Sequence, residues 1–216
     1  MDIALQRKNM VESQVRPSDV TDRRIIRAML DIPRERFVPE RSRAIAYMDE
    51  ALVLGSGRTL MAPRLVARMI QALDLGDADT VLEIGAATGY TAAILARIAQ
   101  RVVALEQVPT LADAAKAALA ATGADNVSVV TGDLTAGRGA DAPFDAILVS
   151  GAVDELPDTI LDQLKDGGRL VTVVASGPLG RVVQWRRFGG TFDQRVLFEA
   201  GAAPLPGFQR KAEFVL

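Results

Sequence analysis

The 216-residue sequence contains no cysteine and no histidine. The first absence removes disulfides, thiolate nucleophiles and cysteine-based zinc sites together. The second removes the commonest general base and the commonest metal ligand. Whatever chemistry the chain performs runs without them, and no metal site is expected. No run of 18 apolar residues occurs, so no membrane-spanning helix is expected. The opening stretch MDIALQRKNMVESQVR lacks the apolar run of a signal peptide, and the default expectation is a cytoplasmic protein. Neither sign of charge dominates: the formal net charge is −2. Nothing global therefore points to nucleic acid or to an anionic membrane. Internal repeats and low-complexity tracts are also missing.

What is present is an ordinary globular mixture, 49% apolar and 24% charged, in a length that suits one domain. The charge is unevenly spread. Residues 51–180 carry 9 basic and 15 acidic side chains, whereas the two flanks are slightly basic. An acidic middle fits a site for a cationic small molecule, but by itself it reads first as a solvated acidic surface.

The first fifty residues read as helices. Ile25, Ile26, Met29 and Leu30 share one helical face, with Asp19 or Thr21 as candidate caps and Pro33 as the stop. The segment PRERFVPERSR reads as a loop with Phe37 and Val38 buried and its arginines solvated. GSGRTLMAP, residues 55–63, is bracketed by glycines and a proline and reads as a loop. A helix carrying Leu65, Val66, Met69, Ile70 and Leu73 on one face should follow.

From residue 80 the pattern alternates. Strands are expected at 80–84, 101–105, 127–130, 145–150 and 169–174, with helices at 90–98, 111–121 and 157–164. This rhythm, with strands of nearly continuous apolar character, argues for an α/β fold: a doubly wound, mostly parallel sheet covered on both faces. Beyond Val182 come three strand-like runs, VVQWRRF, TFDQRVLF and KAEFVL, with Gly189-Gly190 between the first two as a hairpin signal. An antiparallel C-terminal strand region is expected.

Thr80–Tyr90, TVLEIGAATGY, is the most informative stretch. It reads as a strand, a glycine-bracketed turn and a helix, the place where doubly wound sheets bind ligands. Gly85 allows a sharp turn and a close ligand approach, and Gly89 close packing at the helix start. The spacing is GxxxG, with Ala87 where a dinucleotide fingerprint has its second glycine, which disfavours a nicotinamide or flavin dinucleotide. Glu83, on the strand itself, suits a cation better than a phosphate. Glu106 ends the next strand, placed to accept hydrogen bonds from ribose hydroxyls. Asp133 follows the third strand, on the same rim, where it could accept from an adenine amino group. Ser150 ends the fourth. Three acids at successive strand ends beside a glycine turn point to S-adenosylmethionine, which carries a sulfonium and an ammonium.

These residues resemble a known family. VLEIGAATGY is similar to the first motif of class I methyltransferases. RAMLDIPRERFVPE, AYMDEALVLGSGRTLMAP, GDL, FDAILVSGAVDELPDTILDQLKDGGRLV and LPGF resemble the protein-L-isoaspartate O-methyltransferases, over roughly Met10 to Val174. The resemblance implies a Rossmann-like class I methyltransferase fold with N-terminal helices. It implies two regions of one compact unit: residues 1–78, helices and a substrate-covering loop, and residues 79–216, the cofactor-binding domain. The implied activity is methyl transfer from S-adenosylmethionine to the α-carboxylate of L-isoaspartyl residues in damaged proteins or peptides, leaving S-adenosylhomocysteine. The ester then closes to a succinimide that can reopen as aspartate. Implied cofactor contacts are Leu60, Glu83, Gly85, Ala86, Ala87, Gly89, Tyr90, Glu106, Gln107, Gly132, Asp133, Leu134 and Ser150. The loop Gly57–Pro63 would cover the reaction centre, with Thr59, Met61 and Arg64 as its catalytic candidates. No nucleic acid or membrane partner is expected, and the expected assembly is a monomer or weak dimer.

A carboxylate is ionised near neutral pH and needs no base to act as nucleophile, so the missing histidine fits this chemistry. The catalytic loop departs from the family pattern G-x-T-I-S: Met61 stands where that pattern has serine, whose hydroxyl is credited with positioning the substrate carboxylate. A thioether donates no hydrogen bond. Leu134 also replaces a glycine, and Arg64 a histidine or bulky residue. Three readings follow. Thr59 or Arg64 holds the carboxylate instead, Arg64 bidentately; the acceptor differs and Met61 lines a more apolar pocket; or the chain binds the cofactor without methylating.

Overall fold

The computed structural model describes residues 2–176 and 179–210. The strand expected over 211–216 lies outside them. The N-terminal helices are α1 (Ile3–Met10) and α2 (Arg23–Asp31), with the chain continuing from α1 through a wider turn at Val11–Val15. The α2 cap is Asp22, whose carboxylate accepts from the Arg24 amide at 2.8 Å, not Asp19 or Thr21. Asp19 instead takes a left-handed conformation that closes the preceding turn, and the Thr21 amide bonds the Gln71 side chain.

The expected loop at 55–63 is largely a hairpin, β1 (Leu52–Gly55) and β2 (Arg58–Leu60). Ser56 and Gly57 at its tip both have positive φ, as a tight type I′-like turn requires. Leu52, Leu54 and Leu60 are buried beneath it. Helix α3 (Pro63–Leu73) follows and buries the predicted face.

The main sheet has the order β5-β4-β3-β6-β7-β8-β9. Its strands are β3 (Thr80–Ile84), β4 (Arg101–Glu106), β5 (Val127–Thr131), β6 (Phe144–Val153), β7 (Leu164–Ser176), β8 (Leu179–Phe188) and β9 (Thr191–Ala200). The first five positions in that order pair in parallel, and β7–β8 and β8–β9 are antiparallel. The expected mostly parallel sheet with an antiparallel C-terminal region is therefore the fold. Helices α4 (Tyr90–Ala96) and α5 (Pro109–Ala121) cross between β3, β4 and β5. The predicted helix at 157–164 shrinks to α6 (Asp158–Leu161), because Leu164 already pairs with Phe144.

Alternate strand residues feed two cores. Val81, Val102, Ala146 and Val171 pack with the N-terminal helices, α3, α4 and α5. Leu82, Val103, Ile147 and Leu170 pack with Ile160, Leu161, Leu205 and Phe208. This is the period-2 pattern of strands buried on both faces. Strand β3 lies between β4 and β6, where the strand order reverses, and the chemistry is to be sought at its carboxyl end. Among the described residues no helix is long and apolar enough to cross a membrane.

Candidate functional site

The turn after β3 is built by its glycines. Gly85 (φ 83°) and Ala86 both donate their amides to the Leu105 carbonyl, at 2.8 and 3.0 Å. Ala87, where a glycine would be conformationally free, is held at φ 50° with its amide on Glu106 at 2.7 Å. Gly89 starts α4; a Cβ there would lie 3.2 Å from Ala115 and Leu119, which explains why a glycine sits at that contact. Tyr90 is buried at the head of α4, edge-on to Phe37.

Two carboxylates meet at this turn, both buried. Glu106 Oε1 accepts from the amides of Gln107 and Val108, at 3.0 and 3.1 Å. Its Oε2 accepts from Ala87 and from the guanidinium of Arg58. Glu83 Oε1 accepts from the Ser150 hydroxyl at 2.7 Å, and its Oε2 has no hydrogen-bond partner among the described residues. Burial pushes the Glu83 carboxyl up to about 7; the nearby Glu106 charge adds to this, and the Ser150 hydrogen bond opposes it. Ser150 lies inside β6 rather than at its end, since that strand continues to Val153.

The remaining rim is more open. The Gly132 amide donates to the Glu106 carbonyl at 3.1 Å, which brings Asp133 to the same edge. Asp133 is exposed and accepts from the Thr135 amide and hydroxyl, at 2.9 and 2.8 Å. Leu134 turns inward to join Leu205 in the second core. Leu205 also covers the turn: its amide donates to the Ala152 carbonyl at 2.7 Å, and its Cδ1 lies 2.8 Å from where a Gly85 Cβ would be.

The loop candidates separate. Leu60 and Met61 are buried, and Met61 and Arg64 line a cavity of about 490 Å³ with Arg68 and Phe198. Thr59 sits outside that lining, paired in the hairpin opposite Val53. Arg64 is engaged by Asp49, with Nε 3.1 Å from the carboxylate. Any anion it binds must compete with that partner. The Met61 carbonyl accepts from Arg34 Nη2 at 2.7 Å.

The fold thus brings together Glu83, Gly85, Ala86, Ala87, Gly89, Tyr90, Glu106, Gln107 and Ser150, with Gly132, Asp133 and Leu134 beside them. It sets Met61 and Arg64 on a neighbouring cavity. Arg34 and Arg58 are buried beside the site although nothing in their local sequence marks them. Arg34 belongs by sequence to a run of arginines expected in solvent, yet it is fully buried, its guanidinium bonded to the Ala46 and Met61 carbonyls and lying 4.8 Å over the Tyr90 ring. A short alternation of acids and bases carries no signal of which member is buried.

A buried carboxylate oxygen without a partner, a second buried carboxylate on the next strand end and a positive-φ turn suit a cationic nucleoside. The acids repel a phosphate.

Comparison with known proteins agrees with the geometry. The family model described as protein-L-isoaspartate(D-aspartate) O-methyltransferase matches residues 5–201. A Methanoculleus marisnigri protein-L-isoaspartate O-methyltransferase is 44% identical over 169 residues, 78% of this chain and 77% of that protein. One from Roseiflexus sp. is 42% identical over 207 residues, 96% of this chain and 94% of that protein. Among solved structures, a protein-L-isoaspartate O-methyltransferase superposes with a TM-score of 0.83 at 28% identity, covering 93% of this chain and 66% of that longer one. A Plasmodium falciparum protein described as such an enzyme, in complex with S-adenosyl-L-homocysteine, has the same fold at 19% identity. Its TM-score is 0.80, and the match covers 95% of this chain and 98% of that one. With the strand-end acids, the glycine turn and a match over most of its length, the chain belongs to the protein-L-isoaspartate(D-aspartate) O-methyltransferase family.

Proposed function

We propose that the protein transfers the methyl group of S-adenosylmethionine to the free α-carboxylate of L-isoaspartyl residues in proteins and peptides. The observation that carries this reading is the pair of buried carboxylates, Glu83 and Glu106, at adjacent parallel strand ends around the Gly85–Gly89 turn. Glu106 would receive the ribose hydroxyls, Glu83 the cationic end, and Asp133 the adenine amino group. Bound there, the cofactor supplies an electrophilic methyl group.

The chain's own contribution is orientation and exclusion of water. Leu205 covers the Gly85 side of the turn and shares a core with Leu134, while Leu60 and Met61 share the other core with Ala86 and Ala87. The acceptor enters through the cavity at Met61 and Arg64. No side chain has to remove a proton, because the acceptor carboxylate is already ionised. Holding nucleophile and methyl carbon in line can contribute ~7–11 kcal/mol at best. The division into residues 1–78 over the acceptor and 79–216 under the cofactor is part of this proposal. That residues of both regions share one core supports their acting as a single unit.

The state of Glu83 gives a pH dependence. A carboxyl raised from 4.5 to about 7 in the folded protein stabilises that fold at low pH, and the contribution fades as pH rises through about 7. Unliganded stability therefore falls over that window. A cationic ligand favours the ionised carboxylate, so affinity moves the other way. Calorimetry should find S-adenosylhomocysteine, which keeps the ammonium, bound more tightly at pH 8 than at pH 6. Glu83→Gln should flatten the profile; an unchanged slope in that variant would remove Glu83 from the cofactor's cationic end.

The repair reading is tested by incubating an isoaspartyl peptide with protein and cofactor and following the products chromatographically. The aspartyl peptide should accumulate through the succinimide. An isoaspartyl peptide that persists as it does without protein would reject the assignment.

A further inference from the structure

We propose that Arg58 is a resident stand-in for the cofactor, its guanidinium occupying the acceptors that the cofactor needs, so that binding proceeds by displacing it. This rests on the cofactor assignment above. Arg58 opens β2, directly after the Ser56-Gly57 tip, and is only 3% exposed. It is the one cation in GSGRTLMAP. Its Nη2 donates to Glu106 Oε2 at 3.1 Å and to the Gly85 carbonyl at 2.8 Å, and its Nε approaches the same carboxylate oxygen at 3.3 Å.

An ionised carboxylate offers about four acceptor positions. On Glu106 three are taken by the backbone amides of Gln107, Val108 and Ala87, which the fold fixes. The rest is filled by Arg58, which donates to Oε2 through both Nη2 and Nε. Ribose hydroxyls thus find Glu106 saturated until its one side-chain donor, Arg58, leaves. Gly85 gives the same answer sterically. A Cβ built on it would lie 2.8 Å from both Arg58 Nη2 and Leu205 Cδ1, so the guanidinium and Leu205 together cover that face of the turn, and Arg58 is the part of the cover that also holds the carboxylate.

The exchange keeps charge in balance. Burying a carboxylate alone is costly, and removing one partner of a buried pair leaves that cost exposed. Arg58 supplies the cation beside Glu106 in the unliganded protein; afterwards the three backbone amides and the ribose hydroxyls satisfy that carboxylate, and the ligand brings its own cation to the adjacent Glu83. The hairpin has somewhere to put the evicted side chain, since the space around Gly55 and Gly57 is open. Arg58 is three residues from Met61 in the same hairpin and loop, so eviction links cofactor entry to the wall of the acceptor cavity. A purely structural ion pair would instead remain in place when the cofactor binds.

The test combines S-adenosylhomocysteine titration of wild type, Arg58→Ala and Arg58→Gln with limited trypsin digestion of the wild type. Both variants should bind at least tenfold more tightly, and should melt lower than wild type only when unliganded. In the wild type, S-adenosylhomocysteine should accelerate tryptic cleavage after Arg58, seen by mass spectrometry. Affinity unchanged or weakened in the variants, or cleavage at Arg58 unchanged or slowed by the ligand, overturns the proposal while leaving the cofactor assignment intact. Failure of wild type and both variants to bind overturns both. If a variant does not fold, the digestion of wild type still decides.

Discussion

Glu106→Ala is expected to lose at least 10²-fold in affinity for S-adenosylhomocysteine and to melt on the order of 10 °C lower. Three backbone amides and one guanidinium converge on this carboxylate. Truncation leaves Arg58 a buried cation without its anion, and breaking such a pair costs about 3–5 kcal/mol. In a chain of this size each kcal/mol shifts the melting temperature by about 2–4 °C. The ligand loses two charge-assisted hydrogen bonds, each contributing about 1.5–3 kcal/mol. Scanning calorimetry and titration check the two effects separately. An alanine variant that melts lower but binds as before would make Glu106 a structural residue of the turn.

The positions of these acids were legible in the sequence, because strand ends and glycine turns are local features. The run TVLEIGAATGY marks its strand by β-branched residues and its turn by glycine. VVALEQ repeats the arrangement one strand later, so Glu83 and Glu106 had to meet at one sheet edge. What the sequence could not disclose depends on tertiary burial. The hairpin at 52–60 looked like a loop because its glycines dominate a short segment, while the anchoring leucines Leu52, Leu54 and Leu60 straddle them. Asp22 and Asp19 are both chemically good caps; in the fold the Gln71 side chain hydrogen-bonds the backbone of Asp19, Thr21 and Asp22, and it is the Asp22 carboxylate that meets the Arg24 amide. Arg34 and Arg58 carry charges that belong on a surface, and only the assembled fold buries them.

Met61→Ser is expected to raise kcat for an isoaspartyl peptide by roughly 10²-fold, the scale of one oriented donor at a reaction centre. The Met61 backbone is held by Arg34 through its carbonyl, so a new hydroxyl would be presented from a fixed position at the cavity. Met61 is also part of the first core, and its truncation should cost about 2–5 kcal/mol of stability. Steady-state kinetics below the variant's melting range separate gain from loss. A kcat that does not rise would place the acceptor carboxylate away from residue 61, and Arg64, released from Asp49, would be the group to substitute next.

The most direct measurement is transfer of a labelled methyl group from S-adenosylmethionine to paired peptides that differ only in an isoaspartyl or aspartyl linkage. Base-labile label should appear on the isoaspartyl peptide and not on its twin. Label on neither above the level without protein, or on both alike, would contradict the account.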